Sequence, residues 1–151
     1  MPYFKSPIRL PSWLLLGLSF FTLAGFLDSL YLTVKHYVGG PVPCSLLSGC
    51  EKVLQSSYAQ IFGLPVSLFG AIYYFLVIVA ILIYFDSKRA WPLYIAAGLI
   101  GLGFIASLWF VYLQVFVIQS LCLYCLGSAA STTALLVLTV FVLKLVHAPD
   151  G

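Results

Sequence analysis

The chain has 151 residues, is 63% hydrophobic and only 7% charged, and has a mean hydropathy of +1.13. So few charges cannot cover the surface of a soluble domain, which leaves an integral membrane protein with room for one domain, 1–151, and none for a soluble domain beside it. The net charge of +3 is small and scattered, which argues against nucleic acid as a partner.

Lys5 and Arg9 precede the first apolar run, as in a signal peptide, but the run from Trp13 to Val38, about 26 residues, is too long for a signal h-region. No small-x-small cleavage pattern interrupts it cleanly. Residues 12–37 therefore read as a retained transmembrane helix, since about 20 mostly apolar residues cross a bilayer. Asp28 lies inside this span. A charge there is costly, so Asp28 should face the bundle or a polar cavity, in a structural or a functional role. Gly39, Gly40, Pro41 and Pro43 stop the helix.

Residues 38–65 form the one long loop, and loops of that length are usually functional. Ser48 and Glu51 have the spacing of a capping box, which predicts a short amphipathic helix from Gly49 to about Tyr58. Cys50, Val53, Leu54 and Ser57 or Tyr58 would share its buried stripe. Pro65 suits the first turn of a second span over 66–85. Asp86, Ser87, Lys88 and Arg89 close a hairpin to a third span over 91–117. A few residues around Gln119 and Ser120 lead to a fourth over 121–146. Ser120 is its expected N-cap, with Cys122 in the first turn and Cys125 one turn deeper on the same face. The whole reads as an all-α four-helix transmembrane bundle with a short helix in the first extracytoplasmic loop. The scattered Ser, Thr and Gln of the spans, Gln114 among them, read as packing glue.

Lys and Arg in the short loops set the orientation. With the N-terminus in the cytoplasm, Lys5, Arg9, Lys88, Arg89 and Lys144 lie inside, and only Lys35 and Lys52 lie outside. Both termini are then cytoplasmic, Trp13 and Trp91 sit at the inner interface, and all four cysteines sit at the outer face. That face is the oxidising one. The cysteines come as two pairs, Cys44-x5-Cys50 and Cys122-x-x-Cys125. Two dithiol pairs meeting over an apolar bundle read as an electron relay with a lipid-soluble partner. The plainer readings are a structural disulfide in the loop and two inert thiols in the span. Four cysteines allow three pairings, which the sequence leaves open. A zinc site split between a loop and a span in an oxidising compartment is disfavoured.

The run from Gly49 to Gly70, with Cys44 upstream and Cys122-x-x-Cys125 opening the last span, closely resembles the vitamin K epoxide reductase family, and within it the bacterial disulfide-forming members. The resemblance covers the chain from about Tyr31 to the fourth span. The other quinone-linked disulfide oxidase family carries its Cys-x-x-Cys in the first outer loop, the reverse of the order here.

The resemblance implies a multi-pass protein of the bacterial inner membrane that holds a quinone, ubiquinone or menaquinone, near the periplasmic face. It implies Cys125 beside the quinone ring with Cys122 as its partner. It implies Cys44 and Cys50 as the pair that exchanges with a protein substrate, and a Cys50–Cys122 interchange disulfide. Ser56 matches a family serine or threonine that orients the short helix or polarises the site. Ala129 and Val66 stand where vertebrate members carry a Tyr and a pocket Asn, which argues against vitamin K epoxide reduction and leaves quinone reduction untouched. Many bacterial members carry a fused thioredoxin-like domain; without one, the expected partner is a separate periplasmic thioredoxin-fold thiol oxidase.

Depth and helical facing pick out Leu64, Phe69, Tyr73, Phe110 and Leu113 as the apolar wall of the quinone site, with Ala129 leaving room. Ordinary core packing is the plainer role for each. The rival functions are a vitamin K epoxide or quinone reductase, a transmembrane reductant conduit, and a non-catalytic scaffold with structural disulfides.

Overall fold

The computed structural model describes residues 9–44 and 49–147. Four long helices dominate it: α1 Ser12–Val38, then, after a short α2 Cys50–Leu54, α3 Val66–Ser87, α4 Trp91–Tyr112 and α5 Leu123–His147. All four are long and apolar enough to cross a membrane, the third span running on through a π-helical turn, Leu113–Ile118. At 1.5 Å per residue, 22 residues reach about 33 Å, the thickness of a bilayer core. The protein is thus a multi-pass, all-α membrane bundle.

The helix ends follow local chemistry. Past Val38, Gly39 (φ 80°) and Gly40 (φ 99°) take left-handed conformations ahead of Pro41. Helix α3 absorbs Asp86 and Ser87, because Ser87 Oγ donates to the Ile83 carbonyl and Lys88 turns left-handed to close the helix on Tyr84. Pro65 stands just before α3, extended (φ −67°, ψ 139°), rather than within its first turn.

The spans pack in a ring, α1 on α3 and α5, and α4 on α3 and α5. Their shared core includes Leu14, Leu18, Val77, Ile81, Ile100 and Leu135. In lipid, association relies on close approach and interhelical hydrogen bonds. Gly25 of α1 lies against the Tyr74 ring and Gly103 of α4 against the Tyr73 ring, each at a separation that no Cβ would permit. The Tyr74 hydroxyl bonds Ser128 and Thr132 of α5 at 2.9–3.1 Å. Thr33 Oγ1 donates to the Ser29 carbonyl at 2.7 Å and meets Ser67 at 3.1 Å.

The long loop departs from its expected form. Helix α2 ends at Leu54, not near Tyr58, and a 3-10 turn, Ser57–Ala59, follows. A two-stranded antiparallel hairpin comes next, β1 Gln60–Ile61 and β2 Leu64–Pro65. Its two turn residues, Phe62 (φ 52°) and Gly63 (φ 78°), are both left-handed, as a tight hairpin of matching twist requires. The expected capping residue Ser48 lies outside the described residues. Among the described residues, Glu51 Oε1 accepts from Gln55 Nε2 at 3.0 Å.

Candidate functional site

Helix α2 lies over one end of the bundle, where α5 begins. Its apolar side is short: Cys50 and Val53 are buried, Leu54 is half-buried, and Ser57 and Tyr58 are exposed. Cys50 and Cys122 are both fully buried, in one cluster with Val53 that Cys44, Ile118 and Cys125 pack against. Two contacts dock the loop. The Tyr124 hydroxyl donates to the Pro43 carbonyl at 3.1 Å. Gly49, where α2 starts, lies so close to Leu121 that an added Cβ would sit 2.7 Å from the Leu121 carbonyl oxygen. Glycine is needed there for approach, since its backbone (φ −90°) suits any residue.

Cys44 and Cys50 form a disulfide, with 6.3 Å between their Cα atoms, while Cys122 and Cys125 are free thiols. Cys44 is half-buried and Cys50 wholly buried, so the loop disulfide offers its Cys44 side to the outside.

The start of α5 differs from the expected Ser120 cap. Helix hydrogen bonding begins with Leu126 N–H donating to the Cys122 carbonyl at 3.0 Å, which makes Cys122 itself the N-cap. The π-helical turn shapes this corner. Its Gln114 side-chain oxygen accepts from Cys122 N–H at 2.9 Å, and its Gln114 carbonyl accepts from Ser120 N–H at 3.0 Å. Gln114 thus ties the π-helical turn to the start of α5, consistent with the packing role read for it. A buried amide eight residues before a cysteine is the one trace of this in the sequence.

Cys122 lies just outside the span. Its sulfur accepts from the Cys125 thiol and from the backbone N–H groups of Cys125 and Tyr124, the two donors an N-cap side chain meets. Together they outweigh burial and bring the Cys122 thiol down to about 7. Thiolate absorbance of the reduced pair should therefore grow as pH rises through about 7. Cys125→Ala removes the largest of these donors and should move that step upward. A step confined to the ordinary thiol range in the unmodified protein would contradict this cap.

Below α2 the four spans and the first loop line a half-open cavity of about 650 Å³, within the roughly 300–1,000 Å³ of small-molecule sites. Cys125 lines it from α5, together with Ser128 and Thr132 at helical spacing. Of the expected wall, Phe69, Tyr73, Phe110 and Leu113 line the cavity. Leu64 is exposed and does not line it, whereas its hairpin neighbours Ile61 and Pro65 do; Ala129 is one position off the lining face of α5 and does not line it either. Ser56 reaches the cavity and donates to the Val53 carbonyl at 2.7 Å, closing the last turn of α2. Asp28 also lines the cavity.

The family model described as the vitamin K epoxide reductase family matches residues 13–140. The chain belongs to the vitamin K epoxide reductase family. None of the curated proteins compared with it matches. Members of the vitamin K epoxide reductase family are membrane oxidoreductases that use quinones as electron carriers and usually work with thioredoxin-like redox proteins. The cavity suits a quinone: its walls are largely apolar side chains, it takes in the Cys125 side of the dithiol, and it holds polar atoms without partners of their own.

Proposed function

We propose that this protein is the bacterial, disulfide-forming kind of vitamin K epoxide reductase homologue, which oxidises a separate thioredoxin-fold thiol oxidase and passes the electrons to a membrane quinone. The observation that carries the reading is the burial of Cys50 and Cys122 in one cluster, between a loop disulfide and a dithiol whose inner member lines the cavity.

The reduced partner's thiolate attacks Cys44, the reachable side of the loop disulfide, and Cys50 leaves as a thiolate. The partner's second thiol displaces Cys44, so the partner departs oxidised and the loop holds two thiols. Cys50 attacks Cys122 of a Cys122–Cys125 disulfide, and Cys125 leaves with the electron pair. Cys44 then attacks Cys50, which restores the loop disulfide and expels Cys122. A thiol held at about 7 is a good leaving group for that step. A quinone held in the cavity beside Cys125 would supply the oxidant, accepting two electrons and two protons so that Cys122 and Cys125 could re-form their disulfide. Ser56 holds the end of α2 so that Cys50 stays over Cys122.

The excess of Lys and Arg on one side supports both termini in the cytoplasm of a bacterial inner membrane, with the cysteine end in the periplasm. A membrane-impermeant maleimide applied to intact, reduced cells should label the cysteine end. Labelling only after the inner face is opened would reverse the orientation.

The direct test of function follows quinone reduction by the purified protein with a reduced thioredoxin-fold protein as donor. One disulfide should form in the donor for each quinol produced. Quinol production without donor oxidation, or no quinol at all, would overturn the proposal.

A further inference from the structure

Two polar atoms in the cavity wall have nothing to bond. Among the described residues, Asp28 Oδ2 and the Tyr73 hydroxyl are the buried side-chain oxygens without a hydrogen-bond partner. Both residues line the cavity that Cys125 lines. They come from different helices, Asp28 from α1 and Tyr73 from α3.

The adjacent tyrosine shows that this is a property of the position. Tyr74 spends its hydroxyl on Ser128 and Thr132, and its ring seats on Gly25. Tyr74 is therefore a structural bolt between α1, α3 and α5. Tyr73 lies instead against Gly103 of α4, which has no side chain to answer its hydroxyl. A buried hydroxyl left unpaired forfeits its hydration and regains nothing. A carboxyl group has a donor only as the acid; as the carboxylate it leaves acceptor oxygens in hydrocarbon. Intramembrane carboxyls are expensive and mark pathways or ligand sites.

A ligand that satisfies both must fit an apolar cavity and offer an acceptor to each of two helices. The two carbonyl oxygens of a quinone ring meet that demand. We infer that the Tyr73 hydroxyl and the Asp28 acid donate hydrogen bonds to the two carbonyl oxygens of the quinone ring. Asp28 and Tyr73 thereby orient the ring between α1 and α3. The inference rests on the quinone reading above and adds which side chains recognise the ring.

The test uses the full chain in detergent and a short-chain ubiquinone with isotope-labelled carbonyls. Binding is read from quenching of tryptophan fluorescence, and the carbonyl stretches from infrared difference spectra. In the unmodified protein both stretches should shift down on binding. Tyr73→Phe and Asp28→Leu should each weaken binding about tenfold and return one stretch toward its free position. Asp28→Asn keeps an N–H donor and should bind within about threefold of the parent. Tyr73→Phe removes one oxygen and keeps the ring against Gly103, so it decides the matter even where Asp28→Leu fails to fold. If the parent binds quinone and Tyr73→Phe binds equally well with both stretches unmoved, the ring-binding assignment falls while the thiol oxidase reading stands. If the parent binds no quinone, both fall.

Discussion

Replacing Cys125 with Ala is expected to lower quinone reduction by about a thousandfold or more, whichever thiol donor is used, because it removes the cavity-lining member of the inner pair. The loop cysteines should behave differently. Cys44→Ala removes the reachable sulfur of the loop disulfide, so reduction driven by a thioredoxin-fold protein should fall by a similar factor. A small dithiol reaches the Cys122–Cys125 disulfide without the loop and should restore quinone reduction to within about tenfold of the parent. The contrast between donors carries the information, since a variant that merely unfolds loses both. Full quinone reduction by Cys125→Ala would remove Cys125 from its place as terminal donor. Equal loss with both donors in Cys44→Ala would mean that the loop pair is not a shuttle.

The second large effect is a trapped bond. With Cys44 and Cys125 both replaced by Ala, Cys50 and Cys122 are the only thiols left, and both are buried in one cluster. Mild oxidation should join them within one chain, seen as complete loss of titratable thiol and faster migration without reductant. The bond would close a long loop and should raise stability by up to about 4 kcal/mol, read as a higher unfolding temperature in detergent. Gly49→Leu in the same background should slow bond formation, since a side chain there meets the Leu121 backbone and lifts α2. Failure of the bond to form in the folded double variant would rule out a relay between the two pairs.

The four spans were legible because bilayer thickness alone demands long apolar runs, and Gly39, Gly40, Pro41 and the Asp86–Arg89 segment punctuate them. The common end of the bundle at which the four cysteines lie followed from counting spans. The four wall residues Phe69, Tyr73, Phe110 and Leu113 followed from depth and helical facing, a periodicity written in the chain. Other features were decided by partners far away in sequence. Helix α2 stops at Leu54 because Ser56 bonds back to Val53 and the chain turns into a hairpin, where a capping pattern suggested a longer helix. Cys122, not Ser120, caps α5 because Gln114 on the preceding helix takes its N–H. Tyr73 and Tyr74 are neighbours of one type, yet Tyr74 is saturated by α5 while Tyr73 is left with an open hydroxyl in the cavity. Ala129 misses the lining by one position, because the packed rotation of α5 presents Cys125, Ser128 and Thr132 instead. Hydropathy and spacing are local quantities, so the sequence by itself determined the spans and the common end at which the four cysteines lie, while the Cys44–Cys50 bond was left open among three pairings. Which donor meets which acceptor depends on how the helices rotate against one another, and only their packing determines that.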